Sequence, residues 1–508
     1  AGGDAGAEVD ATSVEILEIE TGEGDDGVTL SGDFEAAGVT TIEVAGGAGA
    51  DTIDGGAVIG ADLMITGGDG DDTITGGAGN DTAVFSGNSA DYAVTNLGGG
   101  TYQVVGADGT DTVTGVEALQ FADETVGLGG SVDLIRGGSV IATYETIQAA
   151  IDASAGGDTV FATAGTYTET LTLNKAITLS GEAGTVVQSA TPGSGNGITV
   201  TASAASIEGL TVQGFANGIH VNSAVDGLSL DGVTATGNTN GFNVHNAAVL
   251  TNLSLTDTAL DENTSVGMRV STTGSIDGMT VTGGSMDGNV QGFVAYQAND
   301  GLSTVTGVTF TGTSFSENLR KGIYAEKLDN ATFDDITVEN SGTEGAYASN
   351  NGIDINLKFA AYGNIQILNS SVTGSGVDGT GTGEAIYVTA RGYPGDSSSY
   401  TGKPASITGL VIQNTLIAAA GALALTVGNV DGVDLLGSTG ITGDVLVFLS
   451  GEIELSGNGI DGDVTFAYDD ADAVEQPVLV GNTVTGEVIA IDARDIVAAE
   501  GVDRIILE

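Results

Sequence analysis

The chain contains no cysteine and no tryptophan, and only 4 prolines, 2 histidines and 11 lysines or arginines among 508 residues. Without cysteine there is no disulfide framework, no thiol nucleophile and no thiolate metal site. The scarcity of proline excludes a Pro-rich linker and a collagen-like rod, despite 84 glycines. Set against 68 acidic residues, the 11 basic ones leave a formal net charge of −57. Such a surface repels nucleic acid and anionic membranes, so neither is expected as a partner. Long apolar runs are missing too. The longest, Leu416–Val427, is interrupted by Gly421 and Thr426 and is too short to insert in a bilayer. The first residues, Ala1-Gly-Gly-Asp, carry no basic and apolar export signal, and the expectation is a soluble chain or the mature form of an exported one.

What is present is repetition. Between Ile207 and Lys358 one short phrase returns as Gly218-Ile-His-Val, Gly241-Phe-Asn-Val, Gly267-Met-Arg-Val, Gly292-Phe-Val-Ala, Gly322-Ile-Tyr-Ala and Gly352-Ile-Asp-Ile. A second phrase runs out of phase with it: Gly209-Leu-Thr-Val, Gly232-Val-Thr-Ala, Gly278-Met-Thr-Val and Gly307-Val-Thr-Phe. Each alternates apolar and polar residues, the pattern of a strand with one buried face. Strands this short bury that face only by stacking on the next copy, which predicts a solenoid with one coil per repeat. The wording continues through Ala385-Ile-Tyr-Val, Gly409-Leu-Val-Ile, Val445-Leu-Val-Phe, Val464-Thr-Phe-Ala and Val488-Ile-Ala-Ile, so coils are expected as far as Arg504-Ile-Ile-Leu.

These phrases resemble the coils of the right-handed parallel β-helix of the pectate-lyase-like superfamily. The segment before them strengthens the likeness. Tyr144-Glu-Thr-Ile-Gln-Ala-Ala-Ile-Asp-Ala reads as a short amphipathic helix with Ile147, Ala150 and Ile151 on one face, able to cover the open end of the first coil.

A different repeat occupies the N-terminal part: Gly46-Gly-Ala-Gly-Ala-Asp-Thr-Ile-Asp, Gly67-Gly-Asp-Gly-Asp-Asp-Thr-Ile-Thr and Gly76-Gly-Ala-Gly-Asn-Asp-Thr-Ala-Val, with a stretched copy from Gly55 to Thr66. This is similar to the RTX nonapeptide, whose copies form a calcium-bound parallel β-roll. Ca²⁺ takes six to eight oxygens, and a glycine-rich loop bares its carbonyls while the aspartate adds a charged ligand. The resemblance implies Ca²⁺ held around Asp51, Asp62, Asp69, Asp71, Asp72 and Asp81, with Gly46, Gly49, Gly67, Gly70, Gly76 and Gly79 shaping the loops. Asp51 should share a site with the Gly67 loop, and Asp62 with the Gly76 loop.

The expected fold is all-β: an N-terminal β segment (residues 1–45), the roll and a closing β block (46–130), and the parallel β-helix (131–508). The last includes a helical cap near 144–153 and a protruding loop at 391–404.

In each first-phrase strand the second and fourth positions face outward. Seven of the 11 basic residues fall on or near this region: Arg269, Arg320, Lys321, Lys327, Lys358, Arg391 and Lys403. With Tyr296, Tyr324, Asp354 and Tyr387 beside them, Arg269, Lys327, Lys358 and Arg391 suit either an acidic polysaccharide or a contact between subunits. Alginate epimerases linked to RTX repeats are similar in their modules, and their catalytic strand carries Tyr, Asp and His in an Asp-Pro-His wording. Here Tyr347-Ala-Ser-Asn-Asn-Gly-Ile-Asp-Ile-Asn offers Asp354 but lacks the proline and the histidine. His220 and His245 lie far upstream, and the RTX-like part comes first. The reading that follows is a calcium-dependent, non-catalytic structural protein. It would be secreted by a Gram-negative bacterium through type I-like export and would assemble head-to-tail or in a lattice with copies of itself at the cell surface. The alternative is a uronate epimerase or lyase, or an adhesin that binds an acidic cell-surface polysaccharide.

Overall fold

A computed structural model describes residues 16–507 except 35–37, 78, 99, 129–130, 300, 344–349, 377–382, 394–395, 397–403, 468–476 and 492–504. Strands dominate, and one short α-helix, Ile147–Ala153, is present among the described residues. The chain divides into two compact units. The first comprises residues 1–169 with 177–188 and 209–211, and the second holds the remainder. The helix and the strands Thr159–Ala162, Gly165–Thr168, Thr178–Gly181 and Thr185–Gln188 fall within the first unit, outside its two six-stranded sheets.

In the first unit, successive strands alternate between two six-stranded sheets, so each pairs in parallel with the strand two places on. Ile42, Val44, Ile53, Leu63, Ile65, Ile74 and Ala83 point between the sheets and are excluded from water. An antiparallel set, Ala93–Gly98, Thr101–Gly106 and Gly109–Thr114, closes the roll, with Phe85, Tyr92 and Phe121 clustered against it. The helix buries Ile147, Ala150 and Ile151. Thr146 caps its N-terminus by accepting the Ala149 N–H, and Glu169 accepts the free N–H groups of Ile147 and Gln148.

The second unit is a parallel β-helix. Its main sheet has 18 strands, among them Asn217–Val221, Asn240–Val244, Val266–Val270, Gln291–Ala295, Lys321–Ala325, Asn351–Leu357 and Glu384–Ala390. From Asn217–Val221 to Asn351–Leu357 the named members pair in parallel and without slip, so Ile219, Phe242, Met268, Phe293, Ile323 and Ile353 form one inward column. All six are fully buried. A second parallel sheet, carrying Val249–Thr256, Ser275–Thr282, Val305–Thr311 and Asp329–Asp334, supplies the opposing core face. Between the sheets Phe310 stacks on Phe333 at 5.2 Å and meets Phe293 and Phe315 edge-on at 5.4 Å. At one corner of each coil a buried asparagine passes a hydrogen bond to its neighbour: the N–H of Phe215 donates to Asn238, that of Asn238 to Asn263, that of Asn263 to Asn289 and that of Asn289 to Asn318. Each side chain thereby satisfies a backbone group that the turn would leave orphaned in the core.

Candidate functional site

Because the main sheet stacks in register, outward residues of successive coils become neighbours. Asn243, Arg269, Val294, Tyr324, Asp354 and Tyr387 follow one another one coil apart. Beside them stand Tyr296, Glu326, Asn356 and Thr389. Asp354 is 2 % exposed, and its Oδ2 pairs with Lys321 Nζ from the preceding coil. Glu326 pairs with Lys358, accepts the phenol proton of Tyr324 at 2.6 Å and takes the Gln297 N–H at 2.9 Å. The Lys321 ammonium also lies over the Tyr324 ring, 4.2 Å from its centre. Tyr296 meets Tyr324 edge-on at 5.9 Å, and the Arg269 guanidinium sits 5.5 Å from the Tyr296 ring centre. Further along, Arg391 grips Asp396 through two hydrogen bonds of 3.0 and 2.7 Å.

Burial sets the protonation of this face. Asp354 is pushed above the ordinary carboxylate range by desolvation, with Lys321 pulling the other way. Tyr324 is raised by burial and by the Glu326 charge, so its phenol keeps its proton, and Tyr387 is pushed up to about 12, chiefly by burial. Several buried polar atoms here have no hydrogen-bond partner: Asp354 Oδ1, Asn356 Oδ1, Thr389 Oγ1, Thr426 Oγ1 and Arg269 Nε. A folded protein rarely orphans five such groups on one face unless something polar is meant to meet them.

Lys327 does not belong to this face. It is fully buried, and its Nζ donates to the carbonyls of Ser271, Thr272 and Gly274 and to Ser303 Oγ. The alternation explains why: Tyr324 and Glu326 face outward, so Lys327 takes the inward phase. Lys403 and Tyr347 lie outside the described residues, as do most positions of the 391–404 loop. His220 and His245 stand at the other end of the column, rings 5.3 Å apart. Asn243 Nδ2 donates to His220 Nδ1 at 3.3 Å, and burial holds the His220 pKa below its ordinary value, so this ring is neutral. Neither histidine neighbours Asp354.

The roll presents a second constellation. Asp26, Asp51, Asp72 and Asp111 form one column in which the N–H of each donates to Oδ1 of the next at 2.8, 2.8 and 2.9 Å. All four Oδ2 atoms are buried without a partner. On the other side Asp81 accepts the Leu63 and Gly77 N–H groups, and its own N–H donates to Glu117. Burial raises Asp81 and Asp111 to about 6 and Glu117 to about 8, with neighbouring carboxylates adding to the rise. Asp62 accepts the Asn80 N–H at the rim, Asp71 accepts that of Thr110, and Asp69 is exposed. The glycines keep the cradle open. A Cβ on Gly46 would strike Asp51 Oδ2 and sit 2.7 Å from the Gly67 carbonyl, and Gly67, Gly76 and Gly79 are similarly crowded by Asp72, Asp81 and Asp62. Gly49 and Gly70 adopt φ of +137° and +139°. Among the described residues no three His, Asp or Glu side chains converge on one point. A cation here would rely on backbone carbonyls as well as carboxylates. Asp26 and Asp111 lie in degenerate copies, Gly22-Glu-Gly-Asp-Asp and Gly106-Ala-Asp-Gly-Thr-Asp, and Glu117 lies in neither.

No protein-family profile and no curated protein sequence matches this chain. Solved structures do. The mannuronan C-5 epimerase AlgE6 A-module of Azotobacter vinelandii is 15 % identical, with 67 % of this chain and 94 % of that one covered and a TM-score of 0.43. For PfbA, a surface adhesin of Streptococcus pneumoniae, the figures are 11 %, 71 %, 95 % and 0.40. An alginate lyase from Paenibacillus shows 15 %, 57 %, 92 % and 0.32. The sheet pairing of the second unit is that of a parallel β-helix.

The expectation of a non-catalytic structural protein is corrected at this point. An inert coil stack has no reason to bury a carboxylate beside two lysines, two tyrosines and a cluster of orphaned polar atoms. Among the described residues no helix is long and apolar enough to cross a membrane.

Proposed function

We propose that this chain is an enzyme acting on an acidic polysaccharide, removing the proton next to a uronate carboxylate and so catalysing C5 epimerisation or β-elimination. The observation that carries it is the buried Asp354–Lys321–Tyr324–Glu326–Lys358 network. Proton removal beside a carboxylate needs cations to balance the growing enolate charge, and Lys321 and Lys358 stand at the place. It also needs a group to take the proton. Tyr324, hydrogen-bonded to Glu326, can pass its phenol proton to that carboxylate as it accepts one from the sugar. Tyr387 is protonated and sits one coil beyond Asp354, where it can return a proton. A C5 inversion needs Tyr387 to return the proton to the opposite face of C5; an elimination needs the same acid to protonate the departing oxygen as the C4–O bond breaks. Asp354, paired with Lys321 through Oδ2, holds that ammonium in place, and its unpartnered Oδ1 is suited to accept a hydrogen bond from a substrate hydroxyl. The names of the epimerase and lyase folds agree with a uronate substrate.

The roll in this reading is a calcium module. The four orphaned Oδ2 atoms and the glycine-bared carbonyls are the donor set a hard dication requires, and bound calcium would hold the aspartate column together against its own repulsion. An extracellular setting, where calcium is plentiful, fits that need.

The test is incubation of the calcium-loaded protein with polymannuronate, polyguluronate and polygalacturonate in deuterated water. Expected is either exchange at C5 with inversion or the ultraviolet absorbance of an unsaturated uronate, reduced roughly a hundredfold in Asp354→Asn and in Tyr324→Phe. A well-folded protein that neither binds nor alters any of these polymers would overturn the proposal.

A further inference from the structure

One cation of this face is built but unused. Lys321, Lys358 and Arg391 are each engaged in an ion pair. Arg269 forms none among the described residues; its Nε is buried without an acceptor, while the Tyr296 ring beneath it fixes the guanidinium plane. A desolvated guanidinium nitrogen lacking an acceptor is costly unless a ligand supplies one, and the planar fork matches a carboxylate. Its position is also set. From Arg269 the register passes through Val294 and Tyr324 to Asp354, three coil steps or about 14 Å at the usual strand spacing. Val294 points outward yet is fully buried, so the floor between the two charged positions is apolar and continuous with Tyr296 and Tyr324. In the opposite direction the unpartnered atoms of Asn356, Thr389 and Thr426 offer hydrogen bonds suited to sugar hydroxyls and carry no charge to pair with a carboxylate.

We infer that Arg269 is a specificity-determining residue that binds the carboxylate of a uronate lying about three units from the reacting sugar. A linked pyranose advances by about one coil spacing. The substrate is therefore a polyuronate strand laid along the stack, with its remote charge read by Arg269 and its other arm by hydroxyl contacts. Short fragments that cannot reach Arg269 are poor substrates. This deepens the reading of the Asp354 site and rests on it.

The experiment measures turnover and calorimetric binding of size-fractionated oligouronates, from disaccharide to octasaccharide, with the calcium-loaded wild type, Arg269→Met and Arg269→Lys. Expected for the wild type is a step in kcat/KM once the oligomer spans both positions. Arg269→Met should remove that step by raising KM roughly tenfold or more for the long oligomers, with kcat and the shortest substrates unaffected, and Arg269→Lys should restore part of it. A purely structural role for Arg269 would lower all lengths together, and that result, or no change at any length, overturns the inference while leaving the enzyme reading intact. If the wild type neither binds nor converts any oligomer, both fall.

Discussion

Replacing Lys327 by methionine tests how this fold tolerates a buried cation. The methionine keeps most of the stem's volume, so the change is confined to the ammonium. In the native protein Nζ serves Ser271 O at 3.1 Å, Thr272 O at 3.3 Å, Gly274 O at 2.5 Å and Ser303 Oγ at 3.0 Å. Thr272 O is reached by water and recovers a partner. The other three are closed off. Ser271 O keeps the Gly274 N–H and Ser303 Oγ keeps its own bonds to Thr272 O and Gln297 Oε1, so Gly274 O is the acceptor left stranded. At about 1.5–3 kcal/mol for each bond lost to a charged donor, the gross loss over the three is about 4.5–9 kcal/mol. Removing the ammonium returns the several kcal/mol that its desolvation costs. The expected net is a destabilisation of about 2–4 kcal/mol, the acceptors outweighing the charge because they outnumber it. Denaturant unfolding followed by circular dichroism reads this as a lower midpoint with an unchanged slope. A cycle with Ser303→Ala sharpens the test: with one acceptor gone, the methionine should cost about 1 kcal/mol less, a coupling expected only for groups in contact. A Lys327→Met protein as stable as the wild type, or more stable, would refute the reasoning, since it would mean the carbonyls lose nothing when the ammonium leaves.

Other outcomes follow from the same kind of argument. Phe310→Ala removes the centre of the four-phenylalanine cluster and should cost about 3–5 kcal/mol in denaturant unfolding, against under about 1.5 kcal/mol for Phe310→Leu with repacking. Calcium removal by chelator should expose residues 46–84 to limited proteolysis while the second unit stays resistant, and Asp72→Ala should weaken calorimetric calcium binding at least tenfold. His220 has a folded pKa below that of the unfolded chain, so the unfolded state takes up the proton first. Stability at this position is complete above pH of about 6.5 and declines as pH falls from there toward the folded value, and His220→Gln should flatten that part of the stability–pH curve.

Much of the coil architecture can be read directly from the chain, because alternation and stacking act on residues close in sequence. The column from Ile219 to Ile353 is buried throughout, and the outward neighbours of Asp354 are those that the glycine-anchored phrases imply. The charge chemistry is less legible. Lys321 meets Asp354 across 33 positions and Lys358 meets Glu326 across 32. No local motif announces a site whose members are shared between two coils more than thirty positions apart. For that reason the cations, read from the sequence alone, suit a polysaccharide or a subunit contact equally, and the chain reads as a self-assembling structural protein. Lys327 shows the opposite error: alternation placed it inside, and its charge argued it out. In the roll, Asp26 and Asp111 are obscured because their copies keep the aspartate and lose one glycine of the first pair, Thr21 and Ala107 standing in its place, whereas the backbone needs only the ladder of N–H to Oδ1 bonds.

The asparagine corner has a consequence for how the chain is made. Each rung joins residues 23 to 29 positions apart, so the entropy of closing one coil differs little from that of closing the next. A new coil needs a finished predecessor and nothing farther along the chain. Synthesis can therefore be matched by folding that advances from one end like a zip, each coil settling as it emerges. The growing end always displays one unmet asparagine, and the next coil is the group that meets it.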